Sequence, residues 1–210
     1  MNEILMNMFS KPRVVGIVAD VNQGKSNLIY YMIDELRKGE CNIWAYGLRK
    51  KVKDVRKINS VAKLEKIKDS IIFIDEMMSL FDLDNRKIKK DIEETIRMVN
   101  HHNNVLVLCG LGENFKKFLS GKLNVIIYKQ VTFADLISGS TVKSRAVEYS
   151  DVEKGSKILA LEIDEAMVYD SIEEEYTTIK IPFMKEYDTK AENVPIFVPQ
   201  NVENKKGDVK

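Results

Sequence analysis

Short runs rich in Val and Ile recur along this chain, separated by stretches of helical periodicity, and that alternation restricts the fold more than any other feature. A strand buried on both faces is apolar throughout, and it reaches a parallel partner only through a crossover, usually a helix. The pattern predicts an α/β chain, a three-layer sandwich with a mainly parallel sheet covered by helices. Residues 13–18 (RVVGIV) read as the first strand, 42–47 as the second, 70–75 as the third, 105–109 as the fourth and 125–128 as the fifth. Between them, 26–38 reads as a helix with Leu28, Ile29, Met32, Ile33 and Leu36 at core spacing, stopped by Gly39, and 88–100 as a charged amphipathic helix.

Beyond about residue 130 the pattern changes. Residues 138–144 (SGSTVKS) read as a loop, while 158–163, 166–169 and 176–181 read as short strands of a meander, with Asp164 and Glu165 as the turn between the first two. From Tyr187 onward the chain is polar, with Pro195 and Pro199 around an isolated apolar triplet at Ile196 to Val198. The expected organisation is a core over 1–130, a β-rich appendage packed on it over 131–190, and a disordered tail over 191–210 that carries a docking segment. A length of 210 residues with 44% apolar content suits one domain with an appendage.

The N-terminus has no apolar run long enough for a signal sequence or a membrane span, so the chain reads as cytoplasmic. Cys41 and Cys109 sit in strand-like runs and read as buried thiols; no CxxC or Cys/His cluster offers a zinc site. The formal charge of +1 conceals an asymmetry. Residues 1–150 carry 25 Lys and Arg against 18 Asp and Glu, whereas 151–210 carry 8 against 14. A basic front suits a polyanion as well as it suits a solvated face.

Residues 19–26, ADVNQGKS, follow a strand and precede a helix, the context that a phosphate-binding loop requires. In such a loop successive backbone N–H groups and the helix N-terminus converge on phosphate oxygens, a lysine neutralises the outer phosphates, and a hydroxyl ligates magnesium. Lys25 and Ser26 take those two roles, and Gly24 lets the backbone approach. The cradle as a whole comprises Ala19, Asp20, Val21, Asn22, Gln23, Gly24, Lys25, Ser26 and Asn27. Ala19 stands where the usual GxxxxGK[ST] pattern has its first glycine, which is tolerable at negative φ. Downstream, IIFIDE at 71–76 is an apolar strand that ends in two carboxylates. Paired acids at a strand end imply a cation or a proton-transfer task, with Asp75 on the magnesium shell and Glu76 polarising the attacking water. The plainer alternatives are a chance GKS at a helix start and Asp75 as a helix N-cap.

AxxxxGKS, one intervening strand (NIWAYG) and then IIFIDE resemble the additional-strand, catalytic-glutamate division of P-loop NTPases, over about residues 13–130. The resemblance implies ATP and Mg2+ as ligands and a strand order of 5-1-4-3-2. With the continuation RMVNHHNNVLVLCG, the short core is similar to HerA- and FtsK-type ATPases, including phage assembly and genome-packaging ATPases. That similarity implies a homo-oligomeric ATPase of a virus or mobile element that moves double-stranded DNA. It also implies a polar sensor beyond the fourth strand, for which Asn114, with Glu113 beside it, is the candidate. An arginine supplied in trans has Arg86, Arg97 and Arg145 as candidates. Lys51 and Lys53, in the basic segment 49–57, and the segment 86–90 are the first expected DNA contacts, or else solvated helix faces. The tail would engage a capsid or another protein.

Other features carry less. GLG at 110–112 lacks the third glycine of a dinucleotide loop, His101 and His102 are too close in sequence for an i, i+4 metal pair, and Met77 and Met78 read as core filling. Two further function classes remain open: a small-molecule kinase, and a nucleotide-binding scaffold without turnover.

Overall fold

The computed structural model describes residues 3–19, 23–75, 86–110, 122–129 and 161–187, with the backbone alone for residues 61, 62, 86–89, 91 and 92. In chain order its elements are α1 (Glu3–Phe9), β1 (Arg13–Val18), α2 (Lys25–Arg37), β2 (Ile43–Tyr46), β3 (Val55–Lys57), α3 (Val61–Leu64), β4 (Ile71–Ile74), α4 (Arg86–His101), β5 (Val105–Gly110), β6 (Val125–Tyr128), β7 (Glu165–Asp170) and β8 (Glu175–Lys180), followed by a 3-10 turn at Lys185–Tyr187. Every apolar run of the core becomes a strand.

The strands form one sheet in the order β3-β2-β4-β5-β1-β6-β7-β8. The five core strands lie as the resemblance implied, with β5 between β1 and β4. β1 to β6 pair in parallel, with Arg13 beside Val105, Val105 beside Ile71, Ile71 beside Ile43, and Ile43 beside Val55 at one level. β7 and β8 continue the sheet antiparallel to β6.

Because successive side chains of a strand point to opposite faces, the sheet divides its apolar residues between two layers. On one face Val15, Ile17, Phe73, Val107 and Ile127 pack with Leu28, Ile29, Met32, Ile33 and Leu36 of α2 and with Leu5 and Met8 of α1. On the other, Val14, Val18, Ile72, Ile74, Leu106 and Leu108 meet Leu64, Ile67 and Val99. Buried Asn104 links two strand starts on this side: its Oδ1 accepts from the Ser70 N–H at 3.1 Å and its Nδ2 donates to the Ile67 carbonyl at 2.8 Å.

Four expectations change. Residues 55–57 form a parallel edge strand inside the basic segment read as a helix face, because pairing with β2 outweighs the charge of Arg56 and Lys57. Residues 161–163 are not strand: a turn at Ile163 and Asp164 precedes Glu165, which opens β7. Residues 158–160 lie outside the described residues, as do the 138–144 loop, Met77, Met78 and the tail from 188. Cys41 is exposed, since it precedes β2 rather than lying within it, while Cys109 is buried as expected. α1 was not anticipated at all.

Candidate nucleotide-binding site

β1 delivers the chain to Ala19, which is fully buried and is not among the described non-glycine residues with positive φ. Its methyl is thus accommodated where the usual loop has glycine. Gly24 precedes α2 in a left-handed conformation, φ 75° and ψ 18°, which glycine adopts without strain. Its carbonyl accepts the first helical bond, from Leu28 N–H at 3.0 Å. A helix start leaves its first N–H groups without intrahelical partners and carries the positive end of the helix dipole. That is the electrostatic setting for an anion.

Lys25 and Ser26 open α2, and Asp75 directly follows β4. Lys25 Nζ lies 3.7 Å from Asp75 Oδ1, and Ser26 Oγ donates to Asp75 Oδ2 at 3.4 Å. Asp75 is buried, and its N–H donates to the Tyr46 carbonyl at 3.0 Å, which fixes the strand end. Gly47 makes room for that arrangement. With φ +81° it turns the chain after β2, and a Cβ there would stand 3.0 Å from the Asp75 carbonyl carbon.

Asn27 turns its side chain elsewhere. Its Nδ2 donates to the Pro182 carbonyl at 3.0 Å and its Oδ1 accepts from Met184 N–H at 2.8 Å, so only its backbone can serve the loop. Beside it, Tyr30 stacks on Tyr187 with ring centroids 4.4 Å apart. Gln23 is half-buried at the loop's end. Asp20, Val21, Asn22, Glu76, Glu113, Asn114 and Arg145 lie outside the described residues, and Arg86 is described by its backbone alone.

Lys129, which the sequence reading passed over, closes the far side of the loop. It is 1% exposed, and its Nζ donates to the carbonyls of Ile163 and Glu165 at 2.7 and 2.6 Å. Its Nζ lies 3.8 Å from the position a Cβ would take on Gly24. Burial lowers its pKa to about 8, against the raising effect of Asp164 and Glu165. A lysine set directly after an apolar strand, at the end of the sheet that carries the loop, was the available signal.

The basic segment does not stay at the loop end. Lys50 N–H donates to Tyr30 Oη at 2.9 Å, and Asp54 lies 3.7 Å from Arg37, the last residue of α2. The chain therefore descends past α2, which at 1.5 Å per residue is about 20 Å long, and exposed Lys53 sits near the end remote from Gly24. Arg97 is exposed in the last turns of α4, also remote from Asp75. It lines a cavity of about 390 Å³ with Leu64, Met98, His101 and Asn104, on the sheet face opposite α2.

No family model and no curated protein matches the chain. Solved structures do. The genome packaging NTPase B204 of Sulfolobus turreted icosahedral virus 2, in complex with sulfate, superposes with a TM-score of 0.60 at 14% identity, over 82% of this chain and 98% of that one. The fold is that of a P-loop NTPase. B204 of Sulfolobus turreted icosahedral virus, a DNA-packaging ATPase, gives 0.57 at 16% identity, again over 82% of this chain and 98% of that one. ATPases 2 and 3 of EssC from Geobacillus thermodenitrificans give 0.53 at 13% identity, over 84% of this chain and 38% of that one. These neighbours share the fold that the resemblance implied. The B204 of virus 2 has also been captured with ATP-gammaS, AMPPCP and AMP. Among the described residues no helix is long and apolar enough to cross a membrane.

Proposed function

We propose that this chain binds ATP with Mg2+ at its P-loop and hydrolyses it. The observation that carries the reading is the meeting of Lys25 and Ser26, from the start of α2, with Asp75, from the end of β4. Lys25 neutralises the outer phosphates, and the N–H groups at the start of α2 orient them. Ser26 hydroxyl and the buried Asp75 carboxylate are hard oxygen donors side by side, a set that fits Mg2+. The bound ion supplies charge neutralisation on the phosphates being separated. Glu76, next in the chain, takes the role of orienting the attacking water and accepting its proton, and Asn114 that of sensing the terminal phosphate.

The coupled task in this reading is movement or packaging of double-stranded DNA by a homo-oligomer in the host cytoplasm, encoded by a virus or mobile element. Its support is the viral packaging NTPase among the neighbours and the exposure of Lys51 and Lys53. Arg86, Arg97 and Arg145 are the candidates for an arginine supplied in trans, and the C-terminal tail is the candidate segment for a capsid or other protein partner.

The test is ATP hydrolysis by wild type, Lys25→Ala and Glu76→Gln, with and without double-stranded DNA, over a range of protein concentrations. Turnover that rises with DNA and with concentration and disappears in both variants is expected. Charge reversal at Lys51 and Lys53 should weaken DNA binding and flatten its salt dependence while nucleotide affinity holds. Nucleotide binding without turnover under every condition would overturn the motor and leave a scaffold.

A further inference from the structure

A P-loop holds phosphates and leaves the rest of a nucleotide to other parts of the chain. Here the direction in which a nucleoside must leave follows from the sheet order. Lys25 and Ser26 meet Asp75 on the flank of the loop that faces β5 and β4, which assigns that flank to the terminal phosphate and its cation. The nucleoside end of a bound triphosphate therefore crosses the opposite flank, toward β6.

That flank is walled by two segments from the far end of the sequence. The Ile163 carbonyl lies 3.5 Å from where a Cβ on Gly24 would stand, and it is held there by Lys129. Residues 182 and 184 are gripped by the two ends of the Asn27 amide, which places Phe183 beside the first turn of α2. The segments are joined to each other: Ile181 N–H donates to the Asp164 carbonyl at 2.7 Å. Ile163 and Phe183 are nevertheless 64% and 62% exposed. Among the described residues only four large apolar side chains are exposed, and two of the four belong to the two segments that wall the Gly24 and Asn27 flank. Their backbone is over-determined while their side chains are given to solvent, the reverse of what core packing produces.

We propose that Phe183 and Ile163 form the base-binding wall of the nucleotide site, with a purine ring lying on the Phe183 face and against Ile163. The proposal rests on the P-loop reading above and adds the subsite that the loop lacks. An aromatic face suits a purine because stacking needs no particular pattern of donors and acceptors. It follows that the hairpin of β7 and β8 is part of the nucleotide site.

The experiment is calorimetric titration of the full chain with magnesium ATP and, separately, with magnesium tripolyphosphate, which has the phosphates and no base. Phe183→Ala should lower ATP affinity about tenfold, the usual worth of one stacked base, and leave tripolyphosphate affinity unchanged. Phe183→Trp should retain ATP affinity, and Ile163→Ser combined with Phe183→Ala should lose more than either alone. Unchanged ATP affinity in the double variant would overturn the base wall, as would a parallel loss of tripolyphosphate affinity. Failure of the wild-type chain to bind tripolyphosphate would overturn the P-loop reading itself, and the wall with it.

Discussion

Gly47→Ala should damage the site from a turn that contributes no proposed ligand. Two costs can be worked out. Gly47 sits at φ +81°, where an alanine is strained by about 1–2 kcal/mol. The added Cβ would also stand 3.0 Å from the Asp75 carbonyl carbon and closer still to its oxygen, so the end of β4 has to retreat. The bond that spans this gap is Asp75 N–H to the Tyr46 carbonyl, 3.0 Å, and losing it costs about 0.5–1.5 kcal/mol. The sum is about 1.5–3.5 kcal/mol, which for a chain of this size lowers Tm by about 3–14 °C. The functional loss should be larger in proportion, because a displacement of about 1 Å in a positioning group can cost about a hundredfold in rate. Scanning calorimetry and magnesium-dependent ATP turnover on one preparation measure both. Gly47→Asn separates the causes, since asparagine tolerates a left-handed backbone and still carries a Cβ. It should melt above the alanine variant and turn over as poorly. A Gly47→Ala protein that melts within about 1 °C of wild type, about a third of the smallest expected shift, and hydrolyses ATP normally would refute the reasoning.

Lys129 makes stability depend on pH in a definite direction. Its pKa of about 8 lies below the value of about 10.4 for a lysine in an unfolded chain, so between the two the unfolded state binds more protons and unfolding free energy rises with pH. Urea unfolding at about pH 7, 8.5 and 10 should show this rise in wild type and lack it in Lys129→Met. Asn104→Ala removes both amide bonds that join the starts of β4 and β5 and leaves the Ser70 N–H and the Ile67 carbonyl without that partner. A loss of about 2–3 kcal/mol in urea unfolding, with unchanged nucleotide affinity, is expected.

The parts of the fold that the sequence made legible are those in which local pattern and tertiary role coincide. β1, β4 and β5 are apolar at nearly every position because helices cover both their faces, and GKS is readable because a strand and a helix flank it. β3 was hidden for the opposite reason. Three residues, two of them charged and exposed, form a strand only because β2 offers them a partner. α1 carried a weak signal, buried Leu5 and Met8 three residues apart, in a segment too short for periodicity to stand out. At the candidate site, spacing and chain context singled out Lys25, Ser26 and Asp75, which the structure brings together. Lys129 and the cross-link from Asn27 to Pro182 and Met184 were not, because they depend on contacts between positions 34 to 157 residues apart.

The same long reach governs the order in which a nascent chain can become functional. β1 emerges from the ribosome before either of its neighbours, since β5 and β6 lie about ninety residues or more downstream. The GKS segment that follows β1 thus waits for both of those strands, and its flank waits for residues 161–187. Loop closure of that span is costly before non-local contacts can repay it. A polypeptide stalled before residue 160 would carry the whole GKS motif and an open edge at β6, the edge that β7 covers in the finished molecule. The surroundings of the GKS motif are in this sense completed late in synthesis, well over a hundred residues after the motif itself is made.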